Sequence, residues 1–280
     1  MFKDVIRYSN ERSPSYIVLP LAAALYSSGF DSFPTLATYI AGLVCVSLFL
    51  FLVRLSDDIC DIPIDNITHP ERLLPSGELN ISKLNIFRAI VIVVMLMINY
   101  DNNLAMLFLA LTCLVYFVFF LAKPHLPTMI HVLLLNSTLA VFPLYAGLLT
   151  PDGISPFHLL LGMFFWLGGF AHDLSHSVID TSNTDPKKLN PINHYNQKAM
   201  AINSFIVFTI AFLAGVFMYM HDYVTTSFII TLIIAYAILL KLELQLIQKP
   251  NEENAKPFYI FGFLFFLVPG IANAISLYLR

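Results

Sequence analysis

Asp57, Asp58, Asp61 and Asp65 stand within nine positions of one another, directly behind residues 36–53, which carry no charge. Asp58, Asp61 and Asp65 follow the spacing i, i+3, i+7, which on a helix confines three carboxylates to an arc of about 60°. A second acidic group, Asp173, His176 and Asp180, repeats that spacing with an imidazole in the middle. Carboxylates stacked so closely repel one another unless a cation neutralises them. Oxygen-only donors suit a hard ion, and Mg²⁺ typically takes one or two carboxylates together with phosphate oxygens. Two such helix ends on one side of a membrane make a clamp for a Mg²⁺-bound diphosphate. Arg72, in HPERLLPSGEL, has a planar fork suited to phosphate. Lys123, in FFLAKPHLP, offers a second cation, and Pro75-Ser76-Gly77 reads as a turn folding the loop back.

The elements that must hold these residues are membrane helices. Of 280 residues, 58% are hydrophobic and 12% charged, with a mean hydropathy of +0.76. Soluble domains average about 45–50% apolar and about 25% charged residues, so this chain has too few charges to coat a soluble surface. Nine apolar stretches approach the ~20 residues needed to cross a bilayer, at about 15–30, 36–55, 82–99, 103–122, 128–149, 154–171, 199–220, 224–245 and 257–278. The first follows Lys3, Arg7 and Arg12 as a signal peptide would, but no small-residue cleavage site follows, and it is read as a span. With alternating spans, every Lys and Arg except Arg280 falls on one side, while Asp31, Asp101, Asp152 and Asp222 mark the other. The positive-inside rule puts the N-terminus and the carboxylate loops in the cytoplasm and the C-terminus opposite.

Other features narrow the function. Cys45, Cys60 and Cys113 form no CxxC pair and read as small apolar residues. A net charge of −3 without a long basic run gives nucleic acid no footprint. His125, His131, His158, His172, His194 and His221 lack metal-ligand spacing and read as interfacial or packed. An ion-transport reading fits poorly, since transporter sites lie near the midplane and these clusters lie at helix ends.

The segment DDICDIPIDNITHPERLLPSGEL resembles the first signature of the UbiA superfamily of intramembrane prenyltransferases, N-D-x-x-D-x-x-x-D followed by R-P-L-P-S-G. Asp173-x-x-His176-x-x-x-Asp180 is similar to the second signature, D-x-x-D-x-x-x-D, and Lys123 matches the family's lysine after the fourth helix. The resemblance implies an all-α polytopic protein, nine transmembrane helices around a central cavity, as one domain over 1–280. It implies Mg²⁺ held by Asp58, Asp61, Asp65, Asp173 and Asp180, with Asp57 beside them, and diphosphate held by Arg72 and Lys123. The reaction implied is transfer of an isoprenyl group from an isoprenyl diphosphate to an aromatic or lipophilic acceptor among membrane lipids. The alternative is intramolecular terpene cyclisation, with His176 or Tyr195 removing a proton. Two departures stand out: Asp57 replaces the leading Asn, and His176 replaces the middle Asp. His176 reads as a proton-handling or a packed residue. Asn10, Arg12, Ser15 and Asn136 are polar groups at places open to an acceptor, and Arg12 reads first as a membrane anchor.

Overall fold

The computed structural model describes residues 1–32, 34–183 and 197–279, apart from the side chains of Thr128 and residues 179–183. His194 and Tyr195 fall outside the described residues. The chain divides into two units, Met1–Tyr26 with Pro34–Leu126, and Ser27–Phe33 with Pro127–Arg280. Among the described residues every regular element is helical.

The first unit begins with α1 (Phe2–Arg12), a short amphipathic helix, and α2 (Ser15–Ser28), whose last residues belong to the second unit. At 14 residues, α2 spans about 21 Å, short of the ~30 Å hydrocarbon core. It therefore stands apart from the full-length spans expected from the sequence. The longest helix, α3 (Leu36–Thr68), starts at an N-cap where Thr35 accepts from the Thr38 N–H at 3.2 Å. The apolar stretch ends near residue 55, yet the helix continues to Thr68, so the first acidic motif is helical throughout. His69 precedes Pro70, and a residue before proline disfavours the helical region; the helix stops there. Its 33 residues measure about 50 Å, well beyond a bilayer core. α4 (Ile81–Ile98) and α5 (Asn103–Ala122) complete the unit, each capped by an asparagine side chain, Asn80 and Asn102. A 3₁₀ turn over Lys123–His125 follows α5.

In the second unit, the stretch expected as one helix over 128–149 is two: α6 (Thr128–Asn136) and α7 (Thr138–Leu148). The break is chemically satisfied. Asn136 donates to the Val132 carbonyl at 2.9 Å, Ser137 to Leu134 at 2.6 Å and Thr138 to Leu135 at 2.7 Å. Trp166 Nε1 caps the Leu133 carbonyl at 2.7 Å. Such side-chain donors let irregular backbone persist where water is scarce.

α8 (Pro156–Asn183), α9 (Gln197–Met220), α10 (Thr226–Gln248), the single turn α11 (Glu252–Ala255) and α12 (Phe258–Tyr278) follow. α8 lies centrally among α6, α7, α9 and α12. The membrane window of α8 is 67% buried, against 17% for α4. Close approach is built in by glycine: a Cβ on Gly169 would sit 2.3 Å from Leu139 Cδ1, and one on Gly262 of α12 2.4 Å from His172 Nδ1. Counting α6–α7 and α11–α12 as single spans, eight described segments are long and apolar enough to cross a membrane. The chain is an integral membrane protein.

A buried polar contact ties three helices of this unit. Ser204 of α9 lies 2.9 Å from the Ala171 carbonyl of α8 and 2.7 Å from Glu243 Oε1 of α10, and Glu243 is 1% exposed. The Ser204 hydroxyl is thus a hydrogen-bond partner for the buried Glu243 carboxyl group. Removing the hydroxyl strands that carboxyl, at a cost of about 1–3 kcal/mol. Ser204→Ala is expected to lose that much in detergent unfolding, while Glu243→Gln, which keeps a donor and an acceptor, loses less than half of it.

Candidate active site

Four carboxylates at the end of α3 define the site in the first unit. Asp57, Asp58 and Asp65 are buried at 8%, 4% and 8% exposure, while the Asp61 side chain is 32% exposed. They divide between two sets of cations. Lys123 Nζ, brought in at the end of α5, lies 2.5 Å from Asp57 Oδ1 and 2.7 Å from Asp61 Oδ1. Its place follows from aromatic packing of α5 on α3, where Tyr116 meets Phe49 edge-on at 5.7 Å and abuts Phe119 and Phe120. Asp57, an extra negative charge when read from sequence, is thus the closer partner of Lys123.

Asp58 is held from α1. Arg12 grips it bidentately, Nε to Oδ2 at 2.9 Å and Nη2 to Oδ1 at 2.8 Å. Tyr8, one helical turn earlier, donates its hydroxyl to Asp58 Oδ2 at 2.7 Å. Arg54, four residues before Asp58 on α3, adds an Nη2 contact to Oδ1 at 3.2 Å. The guanidinium that sequence suggested as a membrane anchor is therefore a carboxylate partner. Its bond to Asp58 raises the affinity of Arg12 for its proton, and burial followed by the Asp58 charge pushes the Tyr8 phenol well up, so it stays a donor.

Asp65 accepts from Arg72 Nη1 at 2.8 Å. Arg72 is placed by the loop after α3. Its own N–H bonds the His69 carbonyl, Ser76 N–H bonds the Arg72 carbonyl at 2.9 Å, and Gly77 supplies the turn's positive φ of 75°. Leu74 and Leu79 anchor the loop by burial against Tyr8, Leu55 and Leu84. Glu11 accepts from the Leu73 N–H at 3.2 Å, and Arg7 pairs with Glu78, fastening α1 to the same loop.

The second motif lies on α8 in the other unit. Asp173 accepts from Asn136 Nδ2 at 2.6 Å, so an amide that sequence offered to an acceptor binds a motif carboxylate instead. His176 meets the Tyr259 ring edge-on at 3.6 Å and the His172 ring at 4.4 Å; His172 in turn lies 4.3 Å from Phe263. His176 Nε2 and His172 Nδ1 are buried with no hydrogen-bond partner among the described residues. Asp180 is within the helical bounds of α8, but its side chain lies outside the described residues. Among the other histidines, His158 is fully buried and takes the Ser155 N–H at 3.0 Å, a structural contact at the start of α8.

Whether these residues suit a divalent cation is a question of donor chemistry. Four carboxylates with oxygen-only donors, one of them open to solvent, suit Mg²⁺ where phosphate completes the shell. Among the described residues no three His, Cys, Asp or Glu side chains converge on one point. A groove of about 620 Å³ in the second unit, between α10 and α12, is lined by Ile233, Ile234, Ile238 and Phe261 with Lys241 and Gln245. None of the motif residues lines it.

A helix-borne carboxylate array, matched by guanidinium and ammonium groups from α1, the following loop and α5, accords with the sequence-level comparison. Residues 16–268 match the model of the UbiA prenyltransferase family. The chain belongs to that family. None of the curated proteins is similar enough in sequence to match. Among solved structures, this UbiA-family protein is similar in fold to one described as digeranylgeranylglyceryl phosphate synthase, with a TM-score of 0.73 and 18% identity, covering 98% of this chain and 99% of that one. It is also similar to a UbiA homolog from Archaeoglobus fulgidus, with a TM-score of 0.60 and 15% identity, covering 96% and 99%.

Tyr8 and Arg54 escaped the sequence reading. Arg54 had a signal, standing one turn before Asp58 on the same helix. Tyr8 had none, since the hydroxyl reaches Asp58 across 50 positions of chain.

Proposed function

We propose that this UbiA-family protein transfers an isoprenyl group from an isoprenyl diphosphate to a lipophilic or aromatic acceptor in the membrane, releasing pyrophosphate. The observation that carries the reading is the array of Asp57, Asp58, Asp61 and Asp65 interleaved with Arg12, Arg54, Arg72 and Lys123 at the end of a membrane helix. Asp58, Asp61 and Asp65, with Asp57 beside them and Asp173 and Asp180 on the second motif, would hold Mg²⁺, which neutralises the diphosphate and makes it a better leaving group. Arg72 and Lys123 bind diphosphate oxygens and stabilise the charge that collects there as the C1–O bond breaks. The allylic cation left behind is attacked by the acceptor, which then loses a proton. The array is expected to face the cytoplasm, following the distribution of lysine and arginine.

A second reading is intramolecular cyclisation. It is favoured by His176, a half-buried imidazole whose buried Nε2 has no hydrogen-bond partner among the described residues and which is framed by Tyr259 and His172; such a nitrogen would take the proton a carbocation loses. The test uses purified protein in detergent with Mg²⁺ and geranyl, farnesyl or geranylgeranyl diphosphate, followed by pyrophosphate release and extraction of organic products. Release that depends on an added quinone precursor or other lipophilic acceptor supports transfer. Cyclic products formed without acceptor overturn it in favour of cyclisation. No release above that in excess chelator, with any acceptor, overturns both.

A further inference from the structure

In this structure each motif carboxylate of the first unit is matched by a cation: Asp57 and Asp61 share Lys123, Asp58 is held by Arg12 and Arg54, and Asp65 by Arg72. Four negative charges meet four positive ones, so the array is electroneutral as it stands. A divalent cation arriving alone must detach a cation from its carboxylate and leave that cation without a partner. A diphosphate arriving alone meets cations already engaged. Only together do they exchange partners, the divalent ion taking carboxylates and the freed cation taking phosphate.

The four cations differ in their freedom to exchange. Arg54 is on the same helix as Asp58, one turn away, and stays beside it. Lys123, buried between two carboxylates, can meet phosphate while keeping one of them and need not be released from the array. Arg72, set in a turn whose leucines are buried, meets Asp65 through Nη1 and can take phosphate without leaving that carboxylate. Arg12 is the last residue of α1, followed by Ser13 in a non-helical conformation (φ −144°, ψ 56°). Its side chain, at 18% exposure, is less open than that of Arg54 at 42% or Arg72 at 24%, so what sets Arg12 apart is its place at the end of a separate helix and not its exposure. Tyr8 completes the arrangement. It is fully buried, packs edge-on against Phe51 at 5.6 Å, and binds Asp58 through a neutral hydroxyl. The phenol can keep Asp58 in place while the charge opposite it changes.

We propose that Arg12 is an exchangeable counter-ion: it neutralises Asp58 in the absence of substrate and passes to the diphosphate when a divalent cation takes Asp58, so that cation and diphosphate bind synergistically. The proposal rests on the diphosphate reading above and adds to it an order of events and a residue outside both motifs. α1 thereby becomes part of the binding machinery, with Tyr8 as a positioning residue.

The experiment measures binding, with no turnover. Mn²⁺ bound to purified protein in detergent is followed by electron paramagnetic resonance, with and without inorganic pyrophosphate and corrected for the Mn²⁺–pyrophosphate complex in solution. For the wild-type chain, pyrophosphate is expected to tighten Mn²⁺ binding at least about 5-fold, the lower end of ordinary coupling between two ligands. In Arg12→Gln, Mn²⁺ alone binds more tightly than in wild type, and the enhancement by pyrophosphate shrinks toward unity. Arg12→Lys, which keeps the charge, restores part of the enhancement and guards against misfolding as the explanation. Equal Mn²⁺ affinity with and without pyrophosphate in the wild type, or an enhancement unchanged in Arg12→Gln, overturns the exchange and leaves the proposed function standing. Failure of Mn²⁺ and pyrophosphate to bind in any combination overturns both.

Discussion

Asp61→Asn is expected to lower Mg²⁺-dependent pyrophosphate release by about 10²–10³-fold, the usual cost of deleting one preorganised charge partner of a reacting group, while barely changing thermal unfolding. The two effects separate because of where Asp61 sits. It is the most exposed of the four carboxylates, and it shares Lys123 with the more deeply buried Asp57. Asparagine preserves shape and can still accept from Lys123 Nζ through its amide oxygen, so the fold keeps its contact. What is lost is a full negative charge at the carboxylate most open to an incoming cation. The measurement is kcat/KM for pyrophosphate release beside the unfolding midpoint in the same detergent. A variant that retains more than a tenth of wild-type activity would remove Asp61 from the metal set.

Lys123→Met should have the opposite profile, with a large loss of stability alongside the loss of activity. Its ammonium neutralises Asp57, whose side chain is 11% exposed, and Asp61. Removing one partner of a buried pair leaves an uncompensated charge and typically costs about 3–5 kcal/mol; the access of Asp61 to solvent places the expectation near the lower figure. Two rescues identify the cause. Lys123→Met combined with Asp57→Asn removes both charges and should recover at least half the loss, a coupling that a double-mutant cycle measures directly. Mg²⁺ added to the single variant should raise its unfolding midpoint more than it raises that of the wild type, because the ion supplies the missing positive charge. If the double variant is no more stable than the single one, Lys123 acts through packing of its alkyl chain instead.

Much of this arrangement was legible before any coordinates. The i, i+3, i+7 spacing of Asp58, Asp61 and Asp65 depends only on helix geometry, and α3 carries all three within one unbroken helix. Hydrophobic runs place the membrane helices, because apolar length is itself the physical requirement, but α3 and α8, expected to end at 55 and 171, run on to Thr68 and Asn183 and so carry both motifs on helix. The failures have equally local causes. Hydropathy registers neither the overrun of α3 past residue 55, since a helix does not end where apolar residues end, nor the break at Asn136, where side chains take over backbone carbonyls without altering composition. The partnership of Arg12 with Asp58 spans 46 positions; sequence supplied a cation near the start of a helix, and only the fold selects its partner.

The placement of the second motif on α8 bears on how the chain is made. α8 is both the most buried and the least apolar of the membrane windows, a natural result for a helix that carries Asp173, His172 and His176 toward its neighbours rather than toward lipid. A segment enters the bilayer from the ribosome side by side with lipid, where each ionisable residue weighs against insertion. The helices that shelter α8 late in the sequence, α9 and α12, are synthesised after it. The packing around α8 is therefore complete only once the downstream helices have been made. A chain truncated after Asn183 is expected to hold α8 in the membrane less firmly than the full chain does, read as the fraction extracted from membranes by alkaline carbonate.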